Sequence, residues 1–105
     1  MATTRVGNIT INYEVHGEGE PLLLINGLAD DITSWAFQTE EFARRYRTII
    51  FDNRGVGGSD KPAGRYTTAQ MAADARGLLD ALGVARAHVL GVSMGGMIAQ
   101  EFALA

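Results

Sequence analysis

Apolar and polar positions along the chain change their period in a regular order. Residues 5–8 and 9–15 alternate at period two and meet at Gly7-Asn8, so they predict two short strands joined as a hairpin. His16-Gly17-Glu18-Gly19-Glu20-Pro21 is a turn sequence. Leu22-Leu23-Leu24-Ile25 is apolar at every position, which predicts a strand buried on both faces, as in a parallel sheet. Beyond a loop at 26–32, residues 33–46 place Trp35, Phe42 and Tyr46 at i, i+7 and i+11, on one face of a predicted helix. Thr48-Ile49-Ile50-Phe51 predicts a second buried strand, and the glycine-rich stretch 52–66 a long loop. Thr67 with Gln70 forms a capping-box pattern that opens a second helix. Met71, Ala75, Leu78, Leu79 and Leu82 give that helix its core face, and Gly83 is placed to end it. Residues 88–92 predict a third strand, and residues 94–105 a third helix whose apolar side holds Ile98, Ala99 and Phe102.

The predicted class is therefore α/β: an antiparallel hairpin leading into a mostly parallel sheet, with helices on both faces and right-handed crossovers. With 105 residues there is room for a single domain, 1–105. Charges are interspersed and sum to −3, so no basic patch points to nucleic acid or to an anionic membrane surface. The absence of cysteine removes thiolate nucleophiles, disulfides and cysteine metal sites. The first eight residues lack the apolar core of a secretory signal, and no aliphatic run approaches membrane-spanning length. A cytoplasmic location is the default expectation.

Chemistry concentrates at Gly91-Val92-Ser93-Met94-Gly95, a G-x-S-x-G pattern between a predicted strand and a predicted helix. A strand that turns abruptly into a helix leaves its central side chain exposed at the sheet edge. Side chains two positions before and after would collide, so Gly91 and Gly95 are expected there, with Gly96 letting the helix lie close to neighbouring strands. Five residues alone are weak evidence, because a glycine-rich helix start with a serine N-cap reads the same way. A second loop strengthens the functional reading. Acyl transfer to serine needs two N–H donors aimed at the developing oxyanion. The Met94 N–H, at a helix N-terminus, is one candidate. The Leu28 N–H is the other, with Asn26 and Gly27 shaping the turn and lining the substrate; the same dipeptide is also an ordinary turn former.

Taken together, Tyr13-Glu14-Val15-His16-Gly17, Pro21-Leu22-Leu23-Leu24-Ile25, Asp52-Asn53-Arg54-Gly55-Val56-Gly57-Gly58-Ser59-Asp60 and Gly91-Val92-Ser93-Met94-Gly95-Gly96 resemble the N-terminal part of the α/β-hydrolase superfamily. Within it the chain looks most like small cofactor-free esterases, enol-lactonases of the 3-oxoadipate type and related perhydrolases. The resemblance implies hydrolysis of a small-molecule ester or lactone through an acyl-enzyme on Ser93, with no cofactor and no metal. Serine at the elbow departs from the dehalogenases and epoxide hydrolases of this fold, which place Asp there. Asn26-Gly27 stands where the family usually has His-Gly, so altered tuning of the oxyanion loop is expected. Asp52 and Arg54 are expected to hold the 52–60 loop together by hydrogen bonds and an ion pair. That loop lacks the third glycine of a dinucleotide fingerprint.

Serine needs a base to take its proton, and the family order is Ser, acid, His. After Ser93 the only carboxylate is Glu101, read as a surface charge, and there is no histidine. His88 lies about 16 Å from Ser93 along the strand at ~3.3 Å per residue, and His16 belongs to the same far end. The expectation is a chain that stops before its triad is complete and is inactive alone. The alternative is a non-catalytic module that binds a ligand or a partner. Residues 88–92 would then form an exposed apolar edge and a route to self-association.

Overall fold

The hairpin forms where the alternation places it. Strand β1 (Ala2–Val6) pairs antiparallel with β2 (Ile9–His16), Val6 facing Ile9 across Gly7-Asn8. The ladder extends back to Ala2↔Tyr13, three residues earlier than expected, because backbone pairing continues past the end of the side-chain pattern. The structure, a computed structural model, describes residues 2–27, 31–62, 66–92 and 94–104.

The apolar runs form β3 (Glu20–Ile25), β4 (Tyr46–Phe51) and β5 (His88–Gly91). The five strands lie in the order β1-β2-β4-β3-β5. β4 is antiparallel to β2 but parallel to β3, and β3 is parallel to β5. Continuous hydrophobicity in β3 serves two cores at once, because successive side chains point to opposite faces. Leu23 and Ile25, with Ile49 and Phe51 of β4, face one core; Leu22, Leu24 and Ile50 face the other.

The first core is closed by α2 (Thr68–Ala81) and α3 (Met94–Leu104), through Met71, Ala75, Leu78, Leu79 and Ile98. Thr67 caps α2, its Oγ1 accepting the Gln70 N–H at 3.0 Å. Gly83, with φ of 72°, follows the last turn as the pattern predicts. The second core is closed by a 3-10 turn (Ile32–Trp35) and α1 (Ala36–Phe42).

Here the structure corrects the sequence reading. The predicted helix over 33–46 is a turn plus a seven-residue helix, and Tyr46 opens β4 opposite Glu20. Trp35, Phe42 and Tyr46 still share one core, so helical spacing identified the right cluster but not the element. Strand pairing overrides the local pattern. The chain is also confined there: a side chain at Gly17 (φ 84°) would press on the Ala43 backbone, 2.9 Å from its Cα. Among the described residues no helix is long and apolar enough to cross a membrane.

Candidate active site

Parallel strands bring their C-terminal ends to one edge of the sheet, and the motifs converge there. β3 ends at Ile25, followed by Asn26 and Gly27; β4 ends at Phe51, followed by Asp52 and Asn53. β5 ends at Gly91, and α3 starts three residues later at Met94. The reversal is held by the Val92 N–H donating to Ile25 O (3.3 Å) and the Gly95 N–H donating to Val92 O (2.9 Å).

Two glycines make this reversal sterically possible. A Cβ on Gly91 would sit 2.7 Å from Gly96 N and closer still to Gly95 C and O. One on Gly95 would sit 2.8 Å from Asn26 O, 2.9 Å from Ile25 C and closer still to Ile25 O. Both obstacles are backbone, which cannot swing aside as a flexible side chain can. Gly96 differs from the expectation: its Cβ would meet only Gly91 O at 3.8 Å, an ordinary contact. Close approach of α3 to β3 therefore rests on Gly95. Ser93 and Leu28 lie outside the described residues. Met94 is the first residue of α3, its side chain packed against the first core, so its N–H belongs to the helix's unsatisfied first turn.

Asn26 and Gly27 are buried at the end of β3. The Asn26 side chain, in a residue 1 % exposed, donates from Nδ2 to Phe51 O (3.1 Å), and the backbone carbonyl of Asn26 accepts from Asn53 Nδ2 (3.3 Å). The amide expected to line the substrate is thus turned into the sheet, where it braces the end of β3 against β4. On the far side of that loop, the Ile32 N–H donates to Asp52 Oδ1 at 2.8 Å. Asn26 and Ile32 are thus both tied to the Phe51-Asp52 junction.

Asp52 is 1 % exposed, and its Oδ2 also accepts from Asn12 Nδ2 (2.9 Å) and Gly58 N (2.8 Å). It holds the loop through neutral donors. The expected ion pair with Arg54 is not formed. Arg54 instead makes a bidentate pair with Asp74 on α2, at 2.7 and 2.8 Å, both side chains nearly buried. The hydrogen bond to Asp74 raises the Arg54 pKa and keeps the guanidinium charged. Tyr66 adds its ring face, 5.9 Å from the guanidinium carbon. Asp74 went unread in the sequence. Its signal was an acidic residue beside Ala75 on the apolar face of a helix, a position that requires a cationic partner.

The histidines are at the other end of the sheet. His88 opens β5, its Nε2 2.9 Å from Glu20 Oε2 and its ring edge-on to Tyr46. His16 closes β2, with Nε2 2.8 Å from Glu14 Oε1. Glu101 is exposed on α3. A cleft of about 760 Å³ opens beside α1, between Glu14, His16, Thr39 and Asp52, but Asn26, Gly91, Met94 and Gly95 do not line it. The described residues therefore bring together the two glycine-bearing turns, and place both histidines away from them.

Comparison with known proteins follows the same outline. The family model for the α/β-hydrolase fold matches residues 20–105. A fluoroacetate dehalogenase from a Burkholderia species is 38% identical over 104 residues, covering 94% of this chain and 34% of its own length. 3-Oxoadipate enol-lactonase 2 of Acinetobacter baylyi is 33% identical, covering 97% of this chain and 39% of its own. Among solved structures, an N-acyl homoserine lactone degrading enzyme superposes with a TM-score of 0.93 at 39% identity, over 98% of this chain and 40% of that one. The chain spans between a third and two fifths of the length of these relatives.

Proposed function

This chain belongs to the α/β-hydrolase family, and from that premise we propose that it carries the nucleophile of a serine hydrolase acting on a small ester or lactone. The observation that carries the reading is the steric closure around residue 93: Gly91 and Gly95 are each hemmed in by backbone, as a strand-to-helix elbow presenting one side chain at the sheet edge requires. Ser93 attacks the acyl carbon, its proton passes to a base, and the leaving alcohol or enol departs to give an acyl-enzyme that water hydrolyses. The N–H groups of Met94 and Leu28 receive the oxyanion. The close approach of Gly95 to the Ile25 and Asn26 backbone supports this pairing, since it sets the start of α3 against the end of β3.

Base and acid are assigned to polypeptide outside these 105 residues, because His16 and His88 occupy the opposite end of the sheet. Lactone-acting relatives favour a lactone or ester substrate. The identity of the elbow residue, serine, favours an acyl-enzyme over displacement of halide.

The test joins residues 1–105 to the part of the Acinetobacter enol-lactonase that follows its matching segment. Turnover of an activated phenyl ester, and labelling by an alkyl fluorophosphonate, are expected in the folded chimera and lost in Ser93→Ala. The 105-residue chain and its own Ser93→Ala variant are expected to be equally inactive. A folded chimera that binds ester without Ser93-dependent turnover or labelling would replace this reading with that of a ligand-binding module.

A further inference from the structure

The β3–β4 ladder runs as far as Leu24↔Ile50, and beyond it two side-chain amides continue the tie between the strands. Asn26 reaches Phe51 O, and Asn53 reaches back to the backbone oxygen of Asn26. That oxygen is also one against which a Cβ on Gly95 would press, at 2.8 Å. Asn26 O is therefore where the ends of β3 and β4 meet the first turn of α3. A trans peptide is planar, so fixing this oxygen fixes the direction of the Gly27 N–H and of the chain that leads into Leu28.

Asn53 is built to hold that plane. It is 1% exposed, and its own backbone is anchored on both sides: its carbonyl accepts the Val56 N–H (3.1 Å), and the preceding Asp52 N–H donates to Asn12 O (2.9 Å). The amide can face only one way, because a flip would set its Oδ1 against Asn26 O, acceptor against acceptor. In the orientation it takes, Oδ1 is buried with no partner among the described residues. A buried acceptor without a donor works against folding, and an apolar side chain of similar size would avoid that cost. Packing alone thus gives no reason for asparagine at this position, whereas the contact of its Nδ2 with the 26–27 peptide does. We propose that Asn53 is a positioning residue for the oxyanion hole. Its amide sets the 26–27 peptide plane and through it the aim of the Leu28 N–H, while the same oxygen packs against Gly95, next to the second donor, Met94. The proposal rests on the hydrolase reading of Ser93 and deepens it, naming a residue that acts through the loop.

The test uses the chimera described above beside the 105-residue chain. In the chain, Asn53→Leu is expected to shift the Gly27 amide nitrogen resonance, which reports on the bond accepted by Asn26 O, with little change in the urea midpoint. In the chimera the same variant is expected to lower kcat about tenfold to hundredfold, with KM within about twofold. Fluorophosphonate labelling should slow in parallel, since the phosphonyl oxygen uses the same donors. Asn53→Asp keeps the shape but donates to Asn26 O only while its carboxyl is protonated. Its kcat relative to the unsubstituted chimera is therefore expected to rise as pH falls. Unchanged kcat in Asn53→Leu, or a loss carried by KM alone, would overturn the proposal. So would an Asn53→Asp ratio that does not move with pH, or a Gly27 resonance indifferent to Asn53→Leu. A chimera without Ser93-dependent turnover sinks the hydrolase reading and takes this proposal with it; an active chimera indifferent to Asn53 sinks this proposal alone.

Discussion

Three glycines within six residues are expected to respond to the same substitution with opposite signs. Gly91→Ala and Gly95→Ala each drive a methyl to within 2.9 Å or less of backbone atoms on a neighbouring segment. Ordinary contact is 3.4–4 Å, so β5, α3 or β3 must move by more than half an ångström. Overpacking of this kind costs about 1–3 kcal/mol, and rigid backbone on the receiving side places both variants at the upper end. Gly96→Ala meets only one atom, at 3.8 Å, and gains helix propensity. Its sign is therefore reversed, a stabilisation of up to about 1 kcal/mol. A chain of this size has about 5–15 kcal/mol to lose. With a urea m-value of about 1–2 kcal/mol/M, the first two variants should move the midpoint down by about 1–3 M and the third should raise it slightly. Urea unfolding followed by circular dichroism measures all three. Equal destabilisation by the three substitutions, or none from Gly91→Ala and Gly95→Ala, would refute the steric account of the elbow.

Other expectations rest on different contacts. Asp74→Ala leaves the Arg54 guanidinium buried without its carboxylate and should cost about 3–5 kcal/mol in urea unfolding; replacing both residues with apolar side chains should recover most of it. Asp52→Asn turns one carboxylate oxygen into a donor facing either Ile32 N–H or the Gly58 and Asn12 donors. A loss of about 1–3 kcal/mol should follow, with faster hydrogen exchange at the Ile32 or Gly58 amide. Thr67→Ala removes the cap of α2 and should cost about 1 kcal/mol by thermal or urea melt, with Thr67→Ser restoring it.

What could be read without coordinates was whatever leaves a local trace. Leu22 to Ile25 announced a doubly covered strand, and Thr67, Met71, Leu78 and Gly83 announced α2 from cap to stop. The glycine pattern around residue 93 pointed to an elbow because its steric demand is local. Tyr46 could not be placed, since helical spacing and strand pairing both bury it and only the partner Glu20 decides between them. Arg54 chose Asp74 over the nearer Asp52 for a reason invisible in sequence: the backbone amides of Ile32 and Gly58 already converge on Asp52. The inward turn of Asn26 likewise depends on Phe51 O, 25 residues away.

The strand order has a consequence for synthesis. β3 is flanked in the sheet by β4 and β5, both made after it. Its outermost tie, His88 to Glu20, spans 68 residues. At about 5–20 residues per second on the ribosome, that gap lasts roughly 3–14 s. During it Leu22-Leu23-Leu24-Ile25, the most apolar run in the chain, waits for a neighbour on that flank. The nascent chain therefore offers a chaperone a binding segment that the finished sheet buries on both faces.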